Sequence, residues 1–128
     1  NATEKMRIES GGDVGIGTNN PGSKLDVSGT VKLGTNGTQL NAIIKATVND
    51  NVPSLTNGSC SLRTYAVANT LTTGSVIISP SATLNNRIQF SYARVASAGN
   101  VEAKICNENT SGGAIDLPAM NYYITVIQ

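Results

Sequence analysis

The sequence predicts an all-β protein in two parts: a short, intertwined β-shaft arm of residues 1–38 and an antiparallel β-sandwich head of residues 39–128. Apolar residues alternate with polar ones over short runs, which gives each run one apolar face. Turn-forming Gly, Asn, Pro and Ser residues recur between these runs. No stretch has the apolar spacing of a helix.

The arm holds the shortest of these runs, and strands are predicted at 5–9, 14–18, 24–27 and 30–33. Each run has an apolar side of only about two residues, which is too little to form a core. The arm therefore needs apolar surface from the rest of the chain or from copies of itself. We expect copies of the chain to associate through the arm's apolar positions, namely Val14, Ile16, Leu25, Val27, Val31 and Leu33.

The arm also carries a recognisable element, Met-Arg-Ile-Glu followed by GGDVGIGTNNPGSKLDVSGTV. It resembles the G-x-V-G-I-G-T-x-x-P-x-x-K-L-D-V-x-G element of bacteriophage tail fibres and related adhesin-like fibres. In that family the element lies in the shaft, just ahead of a C-terminal head or an intramolecular chaperone. The resemblance implies a homotrimer on the virion surface that contacts other fibre or tail proteins. Here a compact β-like segment follows the element in place of a chaperone domain, which leaves open how the chains trimerise.

A cluster of five turn-forming residues at 34–38 marks the expected linker between arm and head. Beyond it the apolar runs lengthen, and strands are predicted at 40–48, 59–68, 75–79, 87–96, 100–107 and 121–127. The hairpin of residues 87–105 is expected to form the centre of the core. Its first strand is predicted to turn Ile88, Phe90 and Tyr92 to one face.

Residues 91–95, 106–107 and 113–116 are also similar to a C-terminal β-domain of phage and prophage structural proteins. This second resemblance covers residues 42–128 and implies the same class of protein as the first.

Charge and hydropathy exclude several kinds of partner. Nine basic and eight acidic residues give a net charge of +1, and no basic run or stripe is present. We therefore expect no nucleic-acid partner. No apolar segment approaches the roughly 18 residues of a membrane span, so we expect no membrane insertion. The polar, weakly charged composition is typical of an extracellular or virion-surface protein, and a first residue other than Met suggests a piece of a longer chain.

The sequence leaves open whether Cys60 and Cys106, its two cysteines, are bonded. Both fall in predicted strands of the head and could be neighbours. The favoured interpretation is two unpaired, buried side chains. Free cysteine is commonly buried, and phage structural proteins are assembled in a reducing cytoplasm.

Catalytic and metal-binding chemistry finds little support. Histidine is absent, and two cysteines are too few for a zinc cluster within one chain. The segment GTNNPGSK has its Ser and Lys in the wrong order for a phosphate-binding loop. We predict no enzyme, no cofactor and no metal. A depolymerising enzyme remains a rival, because Glu102, Glu108 and Asp116 could form a carboxylate pair in space.

Binding residues are harder to identify from the sequence. A glycan site combines an aromatic face with planar polar groups. The candidate ligand-binding residues are therefore Arg63, Tyr65, Tyr92, Arg94 and Tyr123. Packing in the core or between subunits is the favoured alternative for Tyr92 and for one of the adjacent pair Tyr122 and Tyr123. Loops 71–74 and 108–113 are expected at the far end of the head as a variable contact surface.

The expected function is that of a receptor-binding tail-fibre segment, which presents a trimeric β head to host surface structures such as a glycan or a protein. The rival is a structural protein without its own receptor site. It could be a head fibre, a capsid decoration protein or a fibre of a phage-like injection machine.

Overall fold

The computed structural model describes residues 4–128, and the chain divides into two compact units, Asn1–Asn41 and Ala42–Gln128. The first three residues of the predicted arm lie outside the described part. The described residues form strands and no helix, as the sequence predicts. The strands are β1 (Met6–Ile8), β2 (Val14–Ile16), β3 (Leu25–Val27), β4 (Val31–Lys32), β5 (Gln39–Leu40), β6 (Ile43–Asp50), β7 (Cys60–Ala66), β8 (Ser75–Pro80), β9 (Ile88–Ser97), β10 (Asn100–Asn107) and β11 (Met120–Ile127).

The first unit contains two small sheets. Strand β2 is central in the larger sheet, where it pairs antiparallel with β1 and parallel with β3. Strands β4 and β5 form a separate antiparallel ladder in which Val31 lies opposite Leu40. The turn-rich stretch 34–38, predicted as a linker, instead connects β4 to β5. The first unit therefore extends past residue 38, because β5 pairs back onto β4.

The second unit is built from two antiparallel three-stranded sheets, with strand orders β7-β10-β9 and β6-β11-β8. Their inward side chains pack against one another. Val101 and Ala103 of β10 share a core cluster with Ile124 and Val126 of β11. Side chains alternate between buried and exposed along β11, as a strand with one covered face requires. The head is thus a two-layer arrangement with β10 and β11 as its central strands.

Three aromatic rings join the two layers. Tyr122 of β11 is fully buried and stacks on Tyr65 of β7, with ring centroids 6.1 Å apart. Phe90 of β9 meets the Tyr122 ring edge-on at 6.0 Å. The prediction that one residue of the adjacent tyrosine pair turns inward is therefore met by Tyr122.

The two cysteines form a disulfide, so the favoured interpretation of unpaired thiols is wrong. Cys60 and Cys106 face each other in the antiparallel register of β7 and β10, and their Cα atoms are 4.0 Å apart. Directly opposed positions bring two Cβ atoms within bonding reach. Strand register cannot be read from the sequence alone, and the general tendency of cysteine to be buried was therefore a poor guide.

A β-bulge in β9 overturns the predicted face of Tyr92. Ile105 pairs with Phe90 and Lys104 pairs with Tyr92, so Ser91 is an extra residue without a partner. One inserted residue reverses the alternation that follows it. Ile88 and Phe90 therefore point inward as predicted, whereas Tyr92 points outward and Val95 takes the next buried position.

No segment of residues 4–128 forms a helix with the length and hydropathy that a membrane crossing requires.

Candidate functional site

The three-stranded sheet of the first unit has one entirely apolar face. The strand register places six side chains on it in two rows, each crossing all three strands. Four of the six are largely exposed: Met6 at 61%, Ile8 at 66%, Ile16 at 42% and Leu25 at 61%. We call this surface the arm face; its rows are Met6, Ile16, Val27 and Ile8, Val14, Leu25.

The structure brings four of the six predicted association residues together on the arm face. Val31 lies instead in the β4–β5 ladder, and Leu33 follows that strand with 73% of its surface exposed. The sequence prediction omitted Met6 and Ile8, although their alternation in β1 was visible. What the sequence lacked was the pairing that sets β1 beside β2.

Two glycines allow the tight path from β2 to β3. A Cβ at Gly15 would lie 2.5 Å from the Thr18 carbonyl oxygen. Gly17 has a φ of +74°, and a Cβ there would lie 2.8 Å from the Ser28 carbonyl oxygen. A larger residue at either position would collide with backbone. The parallel pairing of β2 with β3 therefore depends on these glycines of the fibre-like element.

Polar residues of the same element hold its loops in place. The Lys24 ammonium donates to the Asp13 carboxylate at 2.6 Å and to the Gly11 carbonyl at 2.8 Å. Asp26 accepts a hydrogen bond from the Gly22 amide at 2.9 Å. These contacts connect the turn before β2 with the loop before β3. The polar residues of the element thus organise the backbone that supports the arm face.

A second surface lies on the outer face of sheet β7-β10-β9. The carboxylate of Glu102 accepts a hydrogen bond from the Tyr92 hydroxyl at 2.9 Å and another from Arg94 Nε at 3.0 Å. Hydrogen bonding by Tyr92, together with Arg94, lowers the pKa of Glu102, and the same bond raises the pKa of Tyr92. We call Tyr92, Arg94 and Glu102 the tyrosine–arginine cluster; the bulge at Ser91 turns Tyr92 into it.

Arg63, which is half-buried, and Tyr65, which is buried, face the other sheet and not that surface. Arg63 forms a bidentate ion pair with Asp50, through Nε at 2.7 Å and Nη2 at 2.5 Å, and the Tyr65 hydroxyl donates to the same carboxylate at 3.0 Å. These bonds join β7 to β6 across the two layers. Hydrogen bonding by Arg63 lowers the pKa of Asp50, while burial raises the pKa of Tyr65.

The remaining candidate, Tyr123, lies on the outer face of the opposite sheet with 50% of its surface exposed. The five predicted ligand-binding residues therefore occupy three separate places. Only Tyr92 and Arg94 are neighbours on an accessible surface.

The two predicted contact loops do not share one end of the head. The Leu71 amide donates to Gln128 Oε1 at 2.7 Å, and Gln128 pairs with Ala42 through two backbone bonds of 3.0 Å. Loop 71–74 therefore lies at the end where the chain enters the head. Loop 108–113 follows β10 at the opposite end. The prediction placed both at the far end because it had no strand directions.

Metal-ligating side chains do not gather in the described part of the chain, since no group of three or more His, Cys, Asp or Glu residues within residues 4–128 could hold an ion.

Comparison with known proteins identified no similar protein. No protein-family model matches the chain, and no curated protein or solved structure matches it either. The likeness to phage fibres therefore stays a prediction that depends on the residues of the arm element.

Proposed function

We propose that this chain is a non-enzymatic segment of a bacteriophage tail fibre. In this proposal it self-associates as a homotrimer through its arm and presents the β head to a host surface structure, with a glycan as the first candidate. The arm face is the single observation that carries the proposal, together with the fibre-like element that builds it.

The arm face supports self-association because four of its six apolar side chains stay largely exposed within the chain. A first unit of about 40 residues is too small to be stable on its own core without some further support. Copies of the same chain can supply it, since identical apolar faces cover one another around a symmetry axis. Three copies are proposed because the resembled fibres are trimeric.

The tyrosine–arginine cluster is the proposed contact for the host surface. Its tyrosine ring, guanidinium group and carboxylate lie side by side on an accessible sheet face. An aromatic ring can stack against the apolar face of a sugar, while the charged groups exchange hydrogen bonds with its hydroxyls. Three heads on each fibre would raise a weak single contact to a useful avidity.

One observation favours the rival, a structural fibre or decoration protein without a receptor site. Arg63, Tyr65, Tyr92 and Arg94 all have hydrogen-bond partners within the chain. Their polar groups could serve the stability of the head alone. A binding experiment separates the two functions.

The association is tested by the mass of the protein in solution. Sedimentation equilibrium of the full chain is expected to give three times the chain mass of 13.2 kDa. Leu25→Asp introduces a charge on the arm face and should yield monomers. Leu62→Asp is the matched control, because Leu62 is similarly exposed but lies on the outer face of the head. A mass near 13.2 kDa for the unaltered chain would refute the trimer.

Attachment is tested with labelled protein on bacterial cells, before and after enzymatic removal of their surface glycan. We expect binding to fall after this treatment, and to fall also in Tyr92→Ala and Arg94→Ala. Thr47→Ala, an exposed change on the other sheet, should bind normally. If Tyr92→Ala and Arg94→Ala both still bind untreated cells normally, another contact surface is favoured. No binding of the unaltered protein to any strain would favour the structural rival.

A further inference from the structure

The outer faces of the two head sheets differ in chemistry. Sheet β7-β10-β9 exposes the charged groups of the tyrosine–arginine cluster and Lys104, with Leu62 as its one large, largely exposed aliphatic side chain. Sheet β6-β11-β8 exposes three isoleucines and a tyrosine. Ile43 and Ile77 are each 56% exposed, and Ile127 and Tyr123 are 39% and 50% exposed. We call Ile43, Ile77, Tyr123 and Ile127 the isoleucine patch.

Strand register makes the isoleucine patch continuous. Ile127 lies directly opposite Ile43, and Thr125 lies between Lys45 on one side and Ile77 on the other. Side chains at such positions are neighbours on the same face of a sheet. Lys45 is the charged residue among these described positions. Ile77 is the diagonal neighbour of Ile127 and Tyr123, and Thr125 lies between these two on the central strand. The patch is therefore a set of neighbouring apolar side chains interleaved with small polar residues and one basic group.

The isoleucine patch lies near the point where the chain enters the head. Strand β6 begins at Ile43, two residues after the first unit ends at Asn41. Ala42 and Gln128 exchange two backbone hydrogen bonds beside Ile43 and Ile127. The patch thus lies at the end of the head where the polypeptide arrives from the arm. Chains held together through their arms would have their patches tethered close to one another.

The arm face is small for a protein interface. Three strands of three residues cover an area of about 10 Å by 14 Å. A stable protein interface buries about 800 Å² on each partner. The arm face falls well short of that area even when the relief of its side chains is allowed for. Association through the arm face alone would therefore be weak, and further apolar contact surface would strengthen it.

From these observations we infer that the isoleucine patch is a head-to-head contact with the neighbouring copies of this chain. The inference rests on the proposed self-association through the arm and names the surface that completes it. A patch of this composition packs against a like surface, because burial removes its isoleucine side chains from water. The charged outer face of the other sheet stays free for a host ligand.

A tryptophan reporter tests the contact, because the chain has no tryptophan of its own. Tyr123→Trp places the reporter in the patch, and Tyr92→Trp places a matched reporter on the outer face of the other sheet. In assembled protein we expect acrylamide to quench the patch reporter several-fold less than the matched reporter. Adding Leu25→Asp to Tyr123→Trp should separate the chains and raise quenching of the patch reporter to the level of the matched reporter.

A second pair of variants covers the case in which the reporter disturbs the contact. Ile77→Asp should weaken association at least tenfold in sedimentation equilibrium, whereas Leu62→Asp should leave it unchanged. A trimer whose patch reporter is quenched as freely as the matched reporter, with Ile77→Asp still fully associated, would overturn the patch contact and leave the arm proposal standing. A monomeric unaltered chain would overturn both.

Discussion

The arm sheet and the head use the same alternation of apolar and polar residues but reach opposite results. In the head, the apolar faces of two sheets cover each other, so Ile124 and Val126 are removed from water. In the arm, four of the six side chains on the apolar face of the three-stranded sheet stay exposed, Ile8 among them. Alternation thus specifies which face is apolar, and the number of layers in the unit decides whether that face is buried.

The comparison is tested most strongly by one pair of matched substitutions. Ile124→Ala removes a fully buried side chain and should lower the free energy of unfolding of the head by about 2–5 kcal/mol. Ile8→Ala removes the same atoms from an exposed position and should change the free energy of unfolding of the arm by less than about 0.5 kcal/mol. Ile8→Ala should instead weaken association. During urea unfolding, tyrosine fluorescence follows the head, where all four tyrosines lie, and far-ultraviolet circular dichroism follows the strands of both units.

If Ile8→Ala proved as costly as Ile124→Ala under conditions where the chain is monomeric, the arm face would be covered within its own chain. The contrast between arm and head would then be wrong.

The disulfide gives the head a constraint that the arm does not have. It joins residues 46 apart in sequence, and breaking it should cost the head about 2–4 kcal/mol. The expected reason is that the reduced, unfolded chain gains conformational freedom. Unfolding of the protein with and without a reducing agent measures this cost. Cys60→Ala with Cys106→Ala should unfold at the lower stability in both conditions; a response of that double variant to the reducing agent would point to another cause.

The strands themselves were largely predictable from the sequence. Alternation and turn residues located ten of the strands to within a few residues, because both signals are local. The two-residue strand β5 was not separated from β6. It is defined only by its pairing with β4, which leaves no local signal in the sequence. Strand pairing was the information that the sequence did not contain. Strand pairing determines which cysteines meet and at which end of the head each loop lies. Nothing in the sequence indicated that β3 pairs parallel with β2.

The candidate site was predicted less well, for the same reason. Val14, Ile16, Leu25 and Val27 were identified because their apolar alternation is visible in the sequence. Tyr92 was placed on the wrong face, because the bulge at Ser91 leaves no clear mark in an alternating strand. Arg63 was considered a surface ligand, since its partner Asp50 is thirteen positions away and on another sheet. Residues whose roles depend on a neighbouring strand require the structure.

The ion pair between Asp50 and Arg63 tests whether the two head layers also depend on polar contacts. Hydrogen bonding by Arg63 lowers the pKa of Asp50 below its ordinary value of 3.8. Stability from this carboxylate is therefore complete above about pH 4 and is lost as the pH falls through the lowered pKa. Asp50→Asn should cost about 1–2 kcal/mol at pH 7, after allowance for the partial exposure of Arg63.

Urea unfolding at a series of pH values checks this prediction. The difference between the unaltered protein and Asp50→Asn should shrink below about pH 4, because the carboxylate is then being protonated. Glu102→Gln is the comparison: hydrogen bonding also lowers the pKa of Glu102, but its partner Arg94 is largely exposed, so the loss should be smaller. A difference that is constant down to about pH 2 would show that packing, and not charge, accounts for the loss.

The smallest expected effect comes from the hydroxyl group of Tyr122, compared with that of Tyr65, on which its ring stacks. The Tyr65 hydroxyl donates to Asp50, whereas the buried Tyr122 hydroxyl has no hydrogen-bond partner among the described residues. Tyr65→Phe should therefore cost about 1–2 kcal/mol, and Tyr122→Phe should be neutral or stabilise the head by up to about 1 kcal/mol. Urea unfolding of both variants measures the difference. A loss for Tyr122→Phe equal to that for Tyr65→Phe would mean that the Tyr122 hydroxyl has a hydrogen-bond partner in solution, such as an internal water molecule. Polar contacts would then connect the two layers at both tyrosines.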